Sequence, residues 1–102
     1  MKLDDKICDR KIVYLFRQDS AIAFELALLY FILAKRRNSR EKIGDACLKS
    51  IYWLVQASVE IPKYLKQLSP FGQIEEIEKI LVANQAKIGA RLPAEAFALA
   101  GI

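Results

Sequence analysis

Five cations lie within eight residues of this sequence, in the stretch KRRNSREK at positions 35–42: Lys35, Arg36, Arg37, Arg40 and Lys42. Clustered Lys and Arg side chains neutralise phosphate groups, so the stretch predicts a contact with nucleic acid. Lys63 and Lys66 flank Tyr64 further along the chain, and we expect them to form a second contact. The alternative is that the five cations are only the solvated turn between two helices. No helix-turn-helix, RNA-recognition or zinc motif accompanies them, so reading of a specific base sequence is not indicated.

The side chains that usually perform acid-base catalysis are scarce. Histidine, the most frequent general acid or base near neutral pH, does not occur. The three acids within residues 75–78 crowd one predicted helix face. Glu25 stands alone in an apolar segment, at a helix edge or paired with Arg10 or Arg17. The four glycines are isolated, so no phosphate-binding loop is indicated. We predict no enzymatic activity and no cofactor.

Two cysteines, Cys8 and Cys47, lie in different segments without CxxC spacing, and no histidine completes a metal site. We predict buried free thiols in a cytoplasmic protein, with a disulfide in an oxidising compartment as the alternative. The N-terminus MKLDDKICDR has acids where an export signal needs a cationic start and an apolar core. The longest apolar stretch, AIAFELALLYFILA, is shorter than the roughly 20 residues that span a bilayer. We therefore expect no membrane span, and an interfacial helix is the alternative.

The composition is unusually apolar for a chain of this size. The 102 residues suffice for one domain, 54% of them are apolar, and the mean hydropathy is +0.15. A lone small domain cannot hide that much apolar surface, so we predict a homo-oligomer, either a dimer or a small ring. The net charge of +4 and the pI of about 9.2 suit an anionic partner without requiring one.

The cations must be positioned by helices, and the first two are predicted at residues 4–17 and 20–37. In the first helix, apolar residues share one face: Cys8, Ile12, Leu15 and Phe16. The β-rich run at residues 11–17 leaves a strand as the alternative there. Asp19 or Ser20 is expected to cap the second helix. That helix is apolar on nearly every face, so other helices or another copy of the chain must surround it.

The basic stretch is predicted to be a tight turn before a third helix at residues 39–67, bent at Pro62. Asn38 and Glu41 have the spacing of a capping box. Lys35, Arg36 and Arg37 would then lie at the negative end of the preceding helix, where cations are favoured. Arg40 would lie in the first turn of the next helix, where the dipole disfavours a cation. It therefore needs a carboxylate neighbour or another reason to be there.

A fourth helix is predicted at residues 70–91, followed by a short tail at 93–102. Its regular stripe is the predicted oligomer interface: Ile74, Ile77, Leu81, Asn84 and Ile88. An amide within such a stripe sets the register of paired helices or is a tolerated core group. The fold prediction is thus a single all-α domain over residues 1–102, an up-down four-helix bundle with short turns.

The segment LKSIYWLVQASVEI, then LKQLSP, then a helix closing in KIGARL, resembles the last two helices of a family of small four-helix bundles. That family includes the rRNA intervening-sequence protein and the accessory protein of diversity-generating retroelements. Six residues stand at the places of its pattern: Leu68, Ser69, Ile88, Gly89, Arg91 and Leu92. The resemblance covers less than half of the chain. It implies a basic, ring-forming adaptor that binds a reverse transcriptase and its RNA.

Two function classes follow. The first is a self-associating helical adaptor whose basic turn binds RNA or DNA. The second is a regulator of the immunity or anti-activator type, which holds a protein partner through an apolar helical groove. Binding of phosphates weakens steeply with salt, whereas an apolar groove is nearly indifferent to it.

Overall fold

Five α-helices and one short 3-10 helix form the computed structural model, which describes residues 2–68, 70–88 and 94–102. They are α1 (Leu3–Arg17), α2 (Ser20–Arg36), α3 (Arg40–Gln56), the 3-10 helix (Lys63–Gln67), α4 (Pro70–Ile88) and α5 (Ala94–Ala100). These residues contain no strand, so the all-α prediction is confirmed and the strand alternative at residues 11–17 is wrong. The predicted four-helix bundle is correct only in its class, because part of the predicted tail forms a fifth helix.

Helix α2 lies at the centre of the fold. Thirteen of its seventeen residues are buried, and it packs against α1, α3, α4 and α5. The Asp19 side chain caps its start by accepting a hydrogen bond from the Ala21 N–H at 2.8 Å. The prediction that other helices surround this segment is therefore confirmed, and those helices come from the same chain.

Small side chains let α3 pack closely on α2. Ala27 of α2 and Cys47 and Ser50 of α3 have no exposed surface, and Ala46 has almost none. The Ser50 hydroxyl donates a buried hydrogen bond of 2.8 Å to the Ala27 carbonyl oxygen. Because the inward residues of α3 recur at three- and four-residue steps, its opposite face points to solvent.

Helix α3 ends at Gln56, six residues before Pro62, so the predicted helix to residue 67 with a bend at Pro62 is wrong. Ser58 adopts a left-handed conformation, with φ of 61°. Its N–H donates to the Val55 carbonyl at 2.9 Å, and the Val59 N–H donates to the Leu54 carbonyl at 3.1 Å. This pair of bonds is the Schellman motif, which ends helices and is most often built on glycine. Pro62 instead precedes the 3-10 helix.

A buried ion pair holds α1 on α2. The Glu25 side chain is 8% exposed, and its Oε1 lies 3.4 Å from Nε of Arg10 in α1. Nε of Arg10 has no hydrogen-bond partner, so the contact is an ion pair only. Of the two arginines predicted as partners of Glu25, the structure selects Arg10.

Helix α1 turns its apolar stripe outward. Ile12, Leu15 and Phe16 share one face as predicted, but they are 52%, 74% and 84% exposed, and Cys8 on the same face is also exposed. The inward face is supplied instead by Ile7 together with residues such as Arg10. The prediction of a buried Cys8 is therefore wrong.

Helices α4 and α5 complete the core. Phe97 of α5 is buried and its ring centroid lies 6.3 Å from that of Phe24 in α2. The Gln73 amide of α4 donates a buried hydrogen bond of 3.2 Å to the Leu65 carbonyl of the 3-10 helix. The predicted extension of the fourth helix over residues 89–91 lies outside the described residues.

Candidate nucleic-acid interface

The basic stretch forms the connection between α2 and α3, with residues 37–39 between the helices. The N–H of Arg37 donates to the Leu33 carbonyl at 3.1 Å and closes α2. Ser39 caps α3, because its hydroxyl accepts a hydrogen bond of 3.2 Å from the Lys42 N–H. The predicted capping box of Asn38 and Glu41 is wrong. The helix begins one residue later than the box needs, so Lys42 and not Glu41 holds its third position.

The cations of this turn have no carboxylate partner within the part of the chain that the structure describes. No carboxylate oxygen there lies within 4.0 Å of the charged groups of Arg36, Arg37, Arg40 or Lys42. Asp45, one turn after Glu41, pairs with Lys49 at 3.1 Å instead. An ion pair therefore does not explain why a cation stands at position 40.

The cations of the turn differ in their surroundings: two line a pocket of mixed charge and two do not. A pocket of about 390 Å³ lies on one side and is lined by Leu33, Arg37, Glu41, Lys42, Asp45 and Ala46. Two carboxylates partly offset the two cations in this pocket. Arg36 and Arg40 are exposed cations of the turn that lie outside this mixed-charge pocket.

Lys35 has a structural contact that sequence reasoning did not predict. Its Nζ donates a hydrogen bond of 2.9 Å to the Ala100 carbonyl at the end of α5 and lies 5.4 Å from the Phe31 ring centroid. A cation at a helix C-terminus is favoured by the dipole and by the free carbonyls there. The Lys35 ammonium group thus docks α5, and we omit it from the proposed phosphate contacts.

The structure does not bring Lys63 to the turn. Lys63 is exposed and shares an apolar groove with Ile51 and Val55, in the C-terminal half of α3. Val55 follows Arg40 by fifteen residues, which is about 22 Å along a helix axis. Lys63, which shares the groove with Val55, therefore lies far from the basic turn. The side chain of Lys66 lies outside the described part of the structure.

The stripe predicted as the oligomer interface belongs to the core of the single chain. Ile77 and Leu81 are fully buried, and Ile74 and Ile88 are partly buried against the same core. The Asn84 amide donates to the Ile80 carbonyl of its own helix at 2.9 Å. Ile77 and Leu81 thus have no exposed surface with which to contact a second copy, whereas Ile74, Asn84 and Ile88 are partly exposed. Self-association itself stays a prediction.

The described residues provide no metal site, since they contain no group of three or more metal-ligating side chains. Neither cysteine is in a disulfide. Burial raises the pKa of the Cys47 thiol to about 11, which makes it a poor nucleophile. Over the same residues, no helix is long and apolar enough to cross a membrane.

No family model, curated protein or solved structure matches the chain. The resemblance to the small four-helix-bundle family therefore stays a prediction. Four of the six residues that carry it, Ser69, Gly89, Arg91 and Leu92, lie outside the described ranges.

Proposed function

We propose that this protein is a non-enzymatic helical adaptor whose α2–α3 turn binds the phosphate backbone of nucleic acid without reading its sequence. One observation supports this most directly. Arg36, Arg37 and Arg40 stand together at a helix-helix turn, and none has a carboxylate partner among the described residues. Like charges that gather without partners repel one another, so their grouping favours an external anion.

The start of α3 adds to the attraction. The first N–H groups of a helix have no partner within the helix, and its N-terminus carries a partial positive charge. A phosphate beside Arg40 would meet this partial charge together with the guanidinium groups. The same arrangement accounts for a cation at a helix start, which is otherwise unfavourable.

The test is a triple variant, Arg36→Gln, Arg37→Gln and Arg40→Gln, with a fluorescent single-stranded RNA and a DNA duplex as probes. Each lost phosphate contact weakens binding by roughly 1 kcal/mol and flattens the salt slope by about one unit. Three contacts therefore amount to a loss of about a hundredfold in affinity. Exposed charges contribute little to stability, so helical content is expected to remain.

The matched control removes three exposed cations elsewhere, through Lys2→Gln, Lys11→Gln and Arg17→Gln. It changes the net charge by the same amount, so an effect of overall charge appears equally in both variants. Binding that falls only in the turn variant supports the proposal. Equal losses in the two variants, or a parent that binds neither probe at low salt, contradict it.

A second candidate function, a regulator that holds a protein partner, is favoured by an apolar groove of about 340 Å³. It lies between α3 and the segment that follows and is lined by Ile51, Val55, Ile61, Pro62, Lys63 and Leu65. Burial of apolar surface in such a groove is insensitive to moderate salt. A partner retained from cell extract at high salt and after nuclease treatment, but lost with Val55→Asp, would support this function.

A further inference from the structure

The pocket of about 390 Å³ beside the α2–α3 turn is lined by charges of both signs that do not pair with one another. Arg37 and Lys42 contribute the cations, and Glu41 and Asp45 contribute the carboxylates. No oxygen of these two carboxylates lies within 4.0 Å of either cation. Asp45 pairs instead with Lys49, which does not line the pocket. The pocket therefore presents separate hydrogen-bond donors and acceptors.

The balance of charge decides which part of a nucleic acid suits this pocket. A phosphate group is attracted by the two cations but repelled by Glu41 and Asp45, so the pocket as a whole does not favour an anion. Leu33 and Ala46 complete the lining and offer apolar contact. A fitting ligand needs donors and acceptors on a body with apolar surface. A nucleobase has this combination, with polar groups along its edge and apolar faces.

We propose that the pocket takes one unpaired base of the nucleic acid whose phosphates contact the turn, and that it prefers a base with an amino group. The inference rests on the proposed function, because Arg37 lines the pocket and also belongs to the phosphate contact. Phosphate contacts carry no sequence information, so the pocket adds a preference at one nucleotide. Its volume is at the lower end of the roughly 300–1,000 Å³ of small-ligand sites, which suits a single base.

Cytosine and uracil share one ring but differ in the group that would face a carboxylate. The amino group of cytosine donates to a Glu or Asp side chain, and its carbonyl oxygen accepts from a cation. Uracil has a second carbonyl oxygen in place of the amino group, and a carboxylate repels it. Glu41 has no cation within 4.0 Å among the described residues, so its oxygens are available to accept. In a duplex the partner strand occupies these groups of the base, so the base must be unpaired.

The experiment compares fluorescent cytosine-only and uracil-only RNA oligonucleotides of equal length, whose phosphate backbones are the same. The parent is expected to bind the cytosine oligonucleotide about fivefold more tightly, which is the lower end of the discrimination given by a base contact. The preference is modest because the Asp45 side chain is 63% exposed, so water competes for its oxygens.

The pocket variant, Glu41→Ala with Asp45→Ala, removes both carboxylates and is expected to bind the two oligonucleotides equally. Its affinity for the uracil oligonucleotide should not fall, because the repulsion is gone. The matched control, Glu60→Ala with Glu75→Ala, removes two exposed acids that do not line the pocket. It changes the net charge by the same amount and is expected to keep the preference for cytosine.

Methyl signals in the NMR spectrum of the parent provide a second measurement that does not depend on how a variant folds. Ala46 lines the pocket, so its methyl signal is expected to shift when the cytosine oligonucleotide is added. Ala57 is similarly buried but lines a different part of the surface, and its signal is expected to stay in place.

Equal affinity of the parent for the two oligonucleotides overturns this inference but leaves the phosphate contact of the turn standing. A parent that binds neither oligonucleotide contradicts both. The inference is also overturned by a pocket variant that keeps the preference for cytosine, by a control variant that loses it, or by an Ala46 signal that does not respond.

Discussion

Removing Arg10 is expected to destabilise the protein much more than neutralising Glu25. The two side chains form the ion pair that joins α1 to α2, but their surroundings differ. Glu25 is 8% exposed, whereas Arg10 is 35% exposed. Arg10 also has a second carboxylate, Asp9, at 3.8 Å. Loss of the partner therefore costs more stability when it leaves Glu25 unpaired than when it leaves Arg10 unpaired.

The change Arg10→Met leaves a carboxylate with almost no access to water and no cation beside it. Breaking a buried pair in this way costs about 3–5 kcal/mol, and we take the lower end because Arg10 itself is partly solvated. The change Glu25→Gln leaves a guanidinium that still reaches water and Asp9, so its cost is that of a surface pair, about 1 kcal/mol. The double change Arg10→Met with Glu25→Leu removes both charges and is expected to be nearly neutral.

Urea unfolding followed by circular dichroism measures all three variants. With a slope of about 1.5 kcal/mol per molar urea, a loss of 3 kcal/mol moves the midpoint by about 2 M. Equal losses of unfolding free energy in the two single variants would refute this prediction, because they would mean that burial of Glu25 does not determine the cost of breaking the ion pair. A double variant less stable than Arg10→Met would refute it as well.

Three further predictions concern the turn, the C-terminal helix and the cysteines. Ser39→Ala is expected to cost about 1 kcal/mol in urea unfolding and Asn38→Ala almost nothing, because Ser39 caps α3. Lys35→Met should speed amide exchange of residues 94–102 about tenfold, since it removes the bond to Ala100, whereas Arg36→Met should not. At pH 8 a thiol reagent should modify Cys8 in the native protein and Cys47 only in denaturant. The pKa of Cys47 rises from 9.0 to about 11 on folding, so its contribution to stability is present below pH 9 and is lost as the pH rises towards 11.

Periodicity and capping chemistry predicted where the helices lie in the sequence better than they predicted which face of each helix is buried. Asp19 caps α2 as expected, because a side-chain oxygen placed just before an apolar helical run accepts a hydrogen bond from the first N–H groups of the helix. The end of α3 was missed because Ser58 performs a role that glycine usually has, and the sequence carries no sign of it.

The orientation of α1 and the role of Lys35 depend on residues distant in the chain, Glu25 and Ala100. Local patterns contain no information about such partners. The unpaired state of Arg40 was equally invisible, since Asp45 was available by spacing but pairs with Lys49. The basic turn itself was predictable, because a helix-helix connection is short and its cations lie within eight residues of the sequence.

The same ion pair explains why α1 turns its most apolar side chains to solvent. The surface that α2 offers to α1 includes the Glu25 carboxylate, which needs a cation and excludes a face made of Ile12 and Phe16. Removing the pair with Arg10→Leu and Glu25→Leu should therefore keep the protein stable while letting α1 rotate its apolar stripe inward. Cys8 lies on that stripe and reports the rotation through its rate of modification. We expect the rate to fall in the double variant. A Cys8 that reacts as fast as in the parent would show that other contacts, such as the edge-on packing of Tyr14 on Trp53, fix the orientation of α1 without the ion pair.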